Sequence, residues 1–201
     1  ALSSAASDVY KRQAGEWFSA SDLQRTYNNF ARLGAVRYTN ITFREDTLHN
    51  LDTDIRLSMR KPNTIAFQPE GTNTAGDFGA AATLTYQNRN LFRGSELLSI
   101  ELRGAFEAIK GLEGYERGDY EEYGVEARFQ MPRLMAPFLS RKGRRGSTAS
   151  TELSVAWNLQ NRPEFHRRVF SAGLKYRWPT RDGRVQYKLD VLDLSYVYMP
   201  W

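Results

Sequence analysis

The chain has 201 residues, 41% of them hydrophobic and 25% charged, a composition that excludes wholesale disorder and allows one ordinary domain or slightly more. It contains no cysteine, which excludes a disulfide framework, a thiolate nucleophile and a thiolate zinc site. Lys and Arg number 28 against 23 Asp and Glu, for a net charge of +5, and the two signs are interspersed, so no nucleic-acid partner is expected.

In chain order, Ser3 to Gln13 reads SSAASDVYKRQ, the in-frame translation of a transposase sequencing adapter, so residues 1–13 are expected to be a non-native tail. Such a tail implies a gene cut during library preparation. The apolar run ending at Tyr198-Met199-Pro200-Trp201 implies a second cut, so the natural protein is expected to extend both ways. No apolar run approaches the ~20 residues of a transmembrane helix, and no signal-peptide pattern opens the chain.

One helix follows. Ser19 can cap it, Asp22 can complete a capping box, and Leu23, Tyr27, Phe30 and Leu33 share a face that Gly34 is expected to end. Val36 to Phe43 and Asp52 to Met59, rich in β-branched and aromatic residues, read as two strands. Residues 14–62 therefore form a small α+β unit, with a boundary near Lys61-Pro62-Asn63.

Beyond the boundary the pattern is mainly β, in strands of about ten residues with alternating faces. Phe78, Ala80, Ala82, Leu84 and Tyr86 oppose Gly79, Ala81, Thr83, Thr85 and Gln87. The same alternation sets Leu98, Ile100, Leu102 and Phe106 against Ser99, Glu101, Arg103 and Glu107, and Tyr123, Val125 and Phe129 against Glu126, Arg128 and Gln130. It continues with Leu153, Val155 and Trp157, and with Phe170, Leu174, Tyr176 and Trp178. In the last run the apolar positions switch from odd (Val185, Tyr187, Leu189, Val191) to even (Leu192, Leu194, Tyr196), which predicts a bulge. Alternation alone leaves two solvents open: water on one face of a soluble antiparallel sandwich, or lipid outside and water inside a transmembrane barrel. Strands of about ten residues tilted ~45° suit an outer-membrane band of ~25 Å. Aromatic residues near strand ends, such as Phe78, Tyr123 and Trp178, suit its interfacial girdles.

The motifs of bond chemistry are missing. His49 and His166 lie far apart with no metal-ligand spacing, and neither a nucleophile elbow nor a phosphate-binding loop appears. No enzyme, metal or cofactor is expected. The cluster Arg141-Lys142-Gly143-Arg144-Arg145 reads as a solvated turn, with anionic headgroup contact as its sharper reading.

The segment FQPEGTNTAGDFGAAATLTYQNRNLFRGSELLSIELRGAFEA, Phe67 to Ala108, resembles the opening of the barrel in BamA/TamA-type outer-membrane assembly proteins, particularly those of Bacteroidetes-like bacteria, through its EGTN, AGD.G, YQ.RNLFRG and LRG elements. FSASDLQRTYNNFARLGAVRYTNITF upstream is similar to the second half of a POTRA domain, and ARFQMPRLMAPF and NLQNRPEFHRR downstream also fit. The resemblance covers essentially residues 14–201. It implies a partial POTRA-like module over 14–62, and over 63–201 about seven strands from the N-terminal part of an antiparallel transmembrane β-barrel.

The resemblance further implies a Gram-negative outer-membrane location with the N-terminal module in the periplasm, and protein insertion without catalysis. Its partners would be unfolded outer-membrane protein clients, outer-membrane lipid, and periplasmic or lipoprotein subunits. The first barrel strand would accept a client strand at its edge; by position this is Thr64, Ile65, Ala66, Phe67, Gln68, Pro69 and Glu70, where Pro69 suits an edge. Asn90, Leu91, Phe92, Arg93 and Gly94 would form the periplasmic turn after the second strand, with Gly94 shaping it. The arginine-bearing lumen loop of the family belongs to a later strand pair, outside this chain. Two alternatives stand beside this reading: a passive transport or surface-antigen barrel of related fold, and a soluble β-sandwich binding module.

Overall fold

The computed structural model describes residues 17–47, 50–74, 77–109, 118–135, 149–162, 165–180 and 185–200. The adapter-like segment, His49 and the Arg141–Arg145 cluster lie outside the described residues.

The front unit is built on helix α1 (Ala20–Ala31) and strands β1 (Val36–Glu45) and β2 (Leu51–Met59). Ser19 is extended and its Oγ accepts from the Asp22 amide at 3.3 Å, satisfying one of the orphan donors of the first turn. The Asp22 carboxylate pairs with Arg25 at 3.3 Å, so it braces the next turn where a capping box would turn it back. Phe30, Leu33 and Val36 form a buried cluster against Ile55 and Leu57 of β2, and burying each large apolar side chain contributes ~1.5–3 kcal/mol. The helix ends earlier than Gly34 predicts. Arg32 is the C-cap, the Leu33 amide turns back to the Phe30 carbonyl at 3.1 Å, and the Val36 amide to Leu33 at 3.0 Å. Leu33 thus reaches the core from beyond the helix, and Gly34 adopts no left-handed conformation.

The rest is one seven-stranded antiparallel sheet in simple sequence order, with no crossover. Its strands are β3 (Asn63–Thr74), β4 (Asp77–Asn88), β5 (Leu97–Ile109), β6 (Gly118–Met131), β7 (Ser150–Asn161), β8 (His166–Pro179) and β9 (Gln186–Tyr198). They run 12 to 14 residues, longer than the alternation predicts. Pairing continues past the apolar stretch into polar ends, as where Asn63 faces Asn88 and Thr72 faces Gly79. The sheet is not closed: β3 and β9 are its two edges.

Register places the alternating residues on common faces. One row crosses all seven strands through Phe67, Leu84, Leu102, Val125, Trp157, Phe170 and Tyr196. A neighbouring row runs Ile65, Tyr86, Ile100, Ala127, Val155, Ala172 and Leu194. The first row is exposed throughout, from 40% at Leu84 to 66% at Tyr196, and the described residues place no second layer over it. The opposite face carries Thr64, Gln87, Ser99, Arg128 and Ser154 in one row and Thr85, Glu101 and Glu126 in the next. The predicted bulge is present. Leu174 pairs with Leu192 and Lys175 with Asp190, so Val191 is the extra residue, and Leu189 and Leu192 stay on the apolar face.

One corner of the apolar face is covered. The segment after β6 folds over Thr151 and Tyr176: Thr151 Oγ1 donates to the Arg133 carbonyl at 2.9 Å and the Tyr176 hydroxyl to the Met135 carbonyl at 2.8 Å. Met131, Thr151 and Tyr176 are buried beneath it.

Candidate functional site

The two groups of residues singled out in the sequence meet at one corner of the molecule, where the front unit joins the sheet. Thr64 to Glu70 lie on β3, the edge that follows the front unit. The strand pairs with β4 without a break from Asn63–Asn88 to Thr74–Asp77, and no described strand pairs with its other side. Ile65 and Phe67 project on the apolar face, 71% and 65% exposed, on the face that also carries Pro69. Thr64, Ala66, Gln68 and Glu70 occupy the polar face.

Side chains on both faces brace the edge. Arg89 donates to Thr64 Oγ1 at 2.6 Å and to Gln87 Oε1 at 2.7 Å, while its amide donates to the Pro62 carbonyl at 2.8 Å. Asn63 Oδ1 accepts from Asn88 at 2.7 Å and from the Tyr86 hydroxyl at 3.0 Å. Glu70 reaches Arg103 on β5 at 3.5 Å; it passes over β4 because that strand offers only the small Ala81 and Thr83 beneath it. The backbone of β3 thus keeps one ladder open while the side chains of Asn63, Thr64 and Glu70 are held.

Asn90 to Gly94 form the connection from β4 to β5. Asn90 organises it, its Oδ1 accepting from the Ser95 amide at 3.1 Å and its carbonyl from the Arg93 amide at 3.2 Å. Leu91 is exposed, and Phe92 meets Phe129 edge to face with centroids 6.1 Å apart. The left-handed conformations fall on Arg93 and Ser95, each with φ 63°, and not on Gly94. Gly94 serves another need: a Cβ there would stand 2.2 Å from Glu96 Oε1. The Glu96 side chain is buried, and its Oε2 accepts from the amides of Gly94 at 2.9 Å and Phe92 at 3.3 Å. Arg133 stands 3.8 Å from Oε1.

Ser95 carries the tie to the front unit: its Oγ accepts from the buried Ala35 amide at 2.9 Å, sixty positions away in sequence. The Ala35 carbonyl accepts from the Arg60 amide at 2.8 Å, so Ala35 joins β2, β1 and the turn. Arg89, Ser95 and Glu96 are the residues that sequence reasoning misses. The only local signal is a Ser-Glu pair following glycine ahead of an apolar strand.

The polar face is concave. Residues of five consecutive strands, among them Gln87, Ser99, Arg128, Glu152 and Lys175, line a single cleft of about 410 Å³. Two ion pairs lie within it, Arg177 on Glu152 at 2.9 Å and Arg128 bonded to Glu126, and Lys175 leaves the lining one positive charge in excess. His166 opens β8, exposed, with Nδ1 3.2 Å from Asn161 Oδ1. Among the described residues no group of three or more His, Asp or Glu stands ready to hold a metal ion. The described helix is not long and apolar enough to cross a membrane, a test that says nothing about crossing by strands.

No protein-family model matches this sequence, and neither does any curated protein. Among solved structures the chain is similar to BamA from Haemophilus ducreyi lacking POTRA domains 1–3, at 11% identity and a TM-score of 0.39. The match covers 87% of this chain and 41% of that one, so this chain spans less than half of that structure's length.

Proposed function

We propose that residues 63–198 are strands of an outer-membrane β-barrel of the BamA/TamA type, and that the protein assists insertion of other outer-membrane proteins. One observation carries the reading: an unbroken apolar row, Phe67 to Tyr196, lies bare on one side of a sheet whose concave side is polar and charged. In water that arrangement is inside out. In a bilayer it is the required one, with apolar side chains towards lipid and a wet interior. A soluble sandwich would need a second layer over this row.

Insertion follows from the β3 edge and needs no bond chemistry. A backbone amide or carbonyl left unpaired in hydrocarbon costs several kcal/mol, so an unfolded client strand gains by pairing along Thr64 to Glu70. The front unit is then a periplasmic POTRA-like module that meets clients and lipoprotein partners, and the Asn90–Gly94 turn lies on its side of the membrane. The absence of cysteine makes the test direct. A single cysteine at Gln68, in chain reconstituted in vesicles, is expected to form a disulfide with a cysteine in the last strand of an unfolded outer-membrane client. A cysteine at Thr83, opposite Gln68 but paired on both sides, is expected to stay free. Equal trapping at both positions, or none at Gln68, would sink the insertion role. The polar cleft favours a second reading, a passive transport barrel, for which solute efflux from the same vesicles without client is the expected sign.

A further inference from the structure

The polar residue least at home on the apolar face is Arg168. It follows the first two residues of β8 and pairs with Leu159 of β7 and Tyr198 of β9. The row beside it is Trp157, Phe170 and Tyr196. These aromatic residues and Arg168 line one shallow groove of about 230 Å³ on the outer face. The guanidinium has no ion-pair partner among the described residues; the nearest acid on this face by register, Glu121, stands one row on and two strands away, opposite Asn161. Connections alternate between the two ends of a simple antiparallel sheet. The β7–β8 connection is therefore at the end opposite the front unit, which enters β3 beside the β4–β5 turn.

A charge facing lipid is costly unless it reaches the interface and finds a counter-ion there. Near a strand end Arg168 has the reach, and the anion at that depth in a bilayer is a headgroup phosphate. Arginine binds phosphate through a planar fork, and the aromatic residues beside it pack on glycerol and the first acyl carbons. Arg162 and Arg167 at the same turn, against the one acid Glu164 in its sequence, leave a net positive charge of the sign that gathers anionic lipid. We propose that this groove is a binding site for a phosphate-bearing anionic lipid in the leaflet remote from the front unit. The proposal rests on the membrane reading above.

The test uses tryptophan quenching in the 201-residue chain reconstituted in phosphatidylcholine vesicles. One version keeps Trp157 as its only tryptophan, and another keeps Trp178, at the opposite end of β8. Brominated phosphatidylcholine is expected to quench both. Brominated phosphatidic acid at the same mole fraction is expected to quench Trp157 in excess, by about fivefold local enrichment per cationic contact, and Trp178 without excess. Arg168→Gln should abolish the excess and Arg168→Lys retain part of it, while millimolar inorganic phosphate should not compete. Equal quenching of Trp157 by the two lipids, or an excess that survives Arg168→Gln, would overturn the site and leave the membrane reading standing. No quenching by either lipid would overturn that reading itself.

Discussion

Glu96 shows how a buried charge can hold a corner together. A carboxylate removed from water is destabilising unless hydrogen bonds replace the lost hydration. Here two amides of its own turn do so, at 2.9 and 3.3 Å. The arrangement depends on Gly94 having no side chain, since a Cβ would fall 2.2 Å from Oε1 and 2.9 Å from Cδ. Gly94→Ala must therefore push the carboxylate aside and strand both amides. It is expected to cost on the order of 2–3 kcal/mol, read as a lower urea midpoint for the chain in detergent micelles. Ser95→Ala acts differently. It leaves the buried Ala35 amide without its acceptor, a loss of ~1–3 kcal/mol, and is expected to speed hydrogen exchange at Ala35 while exchange in the middle of β6 stays unchanged. Equal loss of protection at both places would mean that the tie between front unit and turn is not a local one.

At the level of strands, register decides which solvent each side chain meets, and a single residue decides register. Val191 is the extra residue in β9. Deleting it leaves Lys175 opposite Asp190 and Leu174 opposite Leu192, with every apolar side chain still outward, so the strand is expected to keep its exchange protection. Deleting Leu102 from the regular β5 turns one half of the strand over, placing either Arg103 or Glu101 towards the apolar side. Protection across β4, β5 and β6 is then expected to collapse. Comparable protection in the two deletions would contradict the assigned pairing. This bulge was legible in the sequence because a change of parity from Val191 to Leu192 has no other simple cause. The strand faces were legible for the same reason: period two is a local property. The helix end was not, because Leu33 leaves the helix to fill a core built with Ile55 and Leu57. Arg89, Ser95 and Glu96 were hidden because their partners lie across the fold, as with Ser95 and Ala35. Gly94 was legible as a turn residue but not for its reason, since the positive φ values fall on its neighbours Arg93 and Ser95.

For the whole molecule, the deciding quantity is the sign of the response to a charge on the bare face. Leu102 lies one residue from the centre of β5 and is 44% exposed. If the face meets water, Leu102→Arg removes an exposed apolar side chain and should leave stability within about 0.5 kcal/mol while improving solubility. If the face meets hydrocarbon, the same change costs ~2–4 kcal/mol near the bilayer midplane. Thr85→Lys supplies the control, because Thr85 lies on the polar face opposite Glu101, where an added ammonium meets a carboxylate. Urea unfolding of the chain in phosphatidylcholine vesicles is expected to show a large loss for Leu102→Arg and little change for Thr85→Lys. The reverse order, or a Leu102→Arg chain that is more soluble without detergent and equally stable, would show that this side of the sheet does not face lipid. Both the insertion role and the headgroup site at Arg168 would then fall with it, since each needs a hydrocarbon solvent to make its interactions favourable.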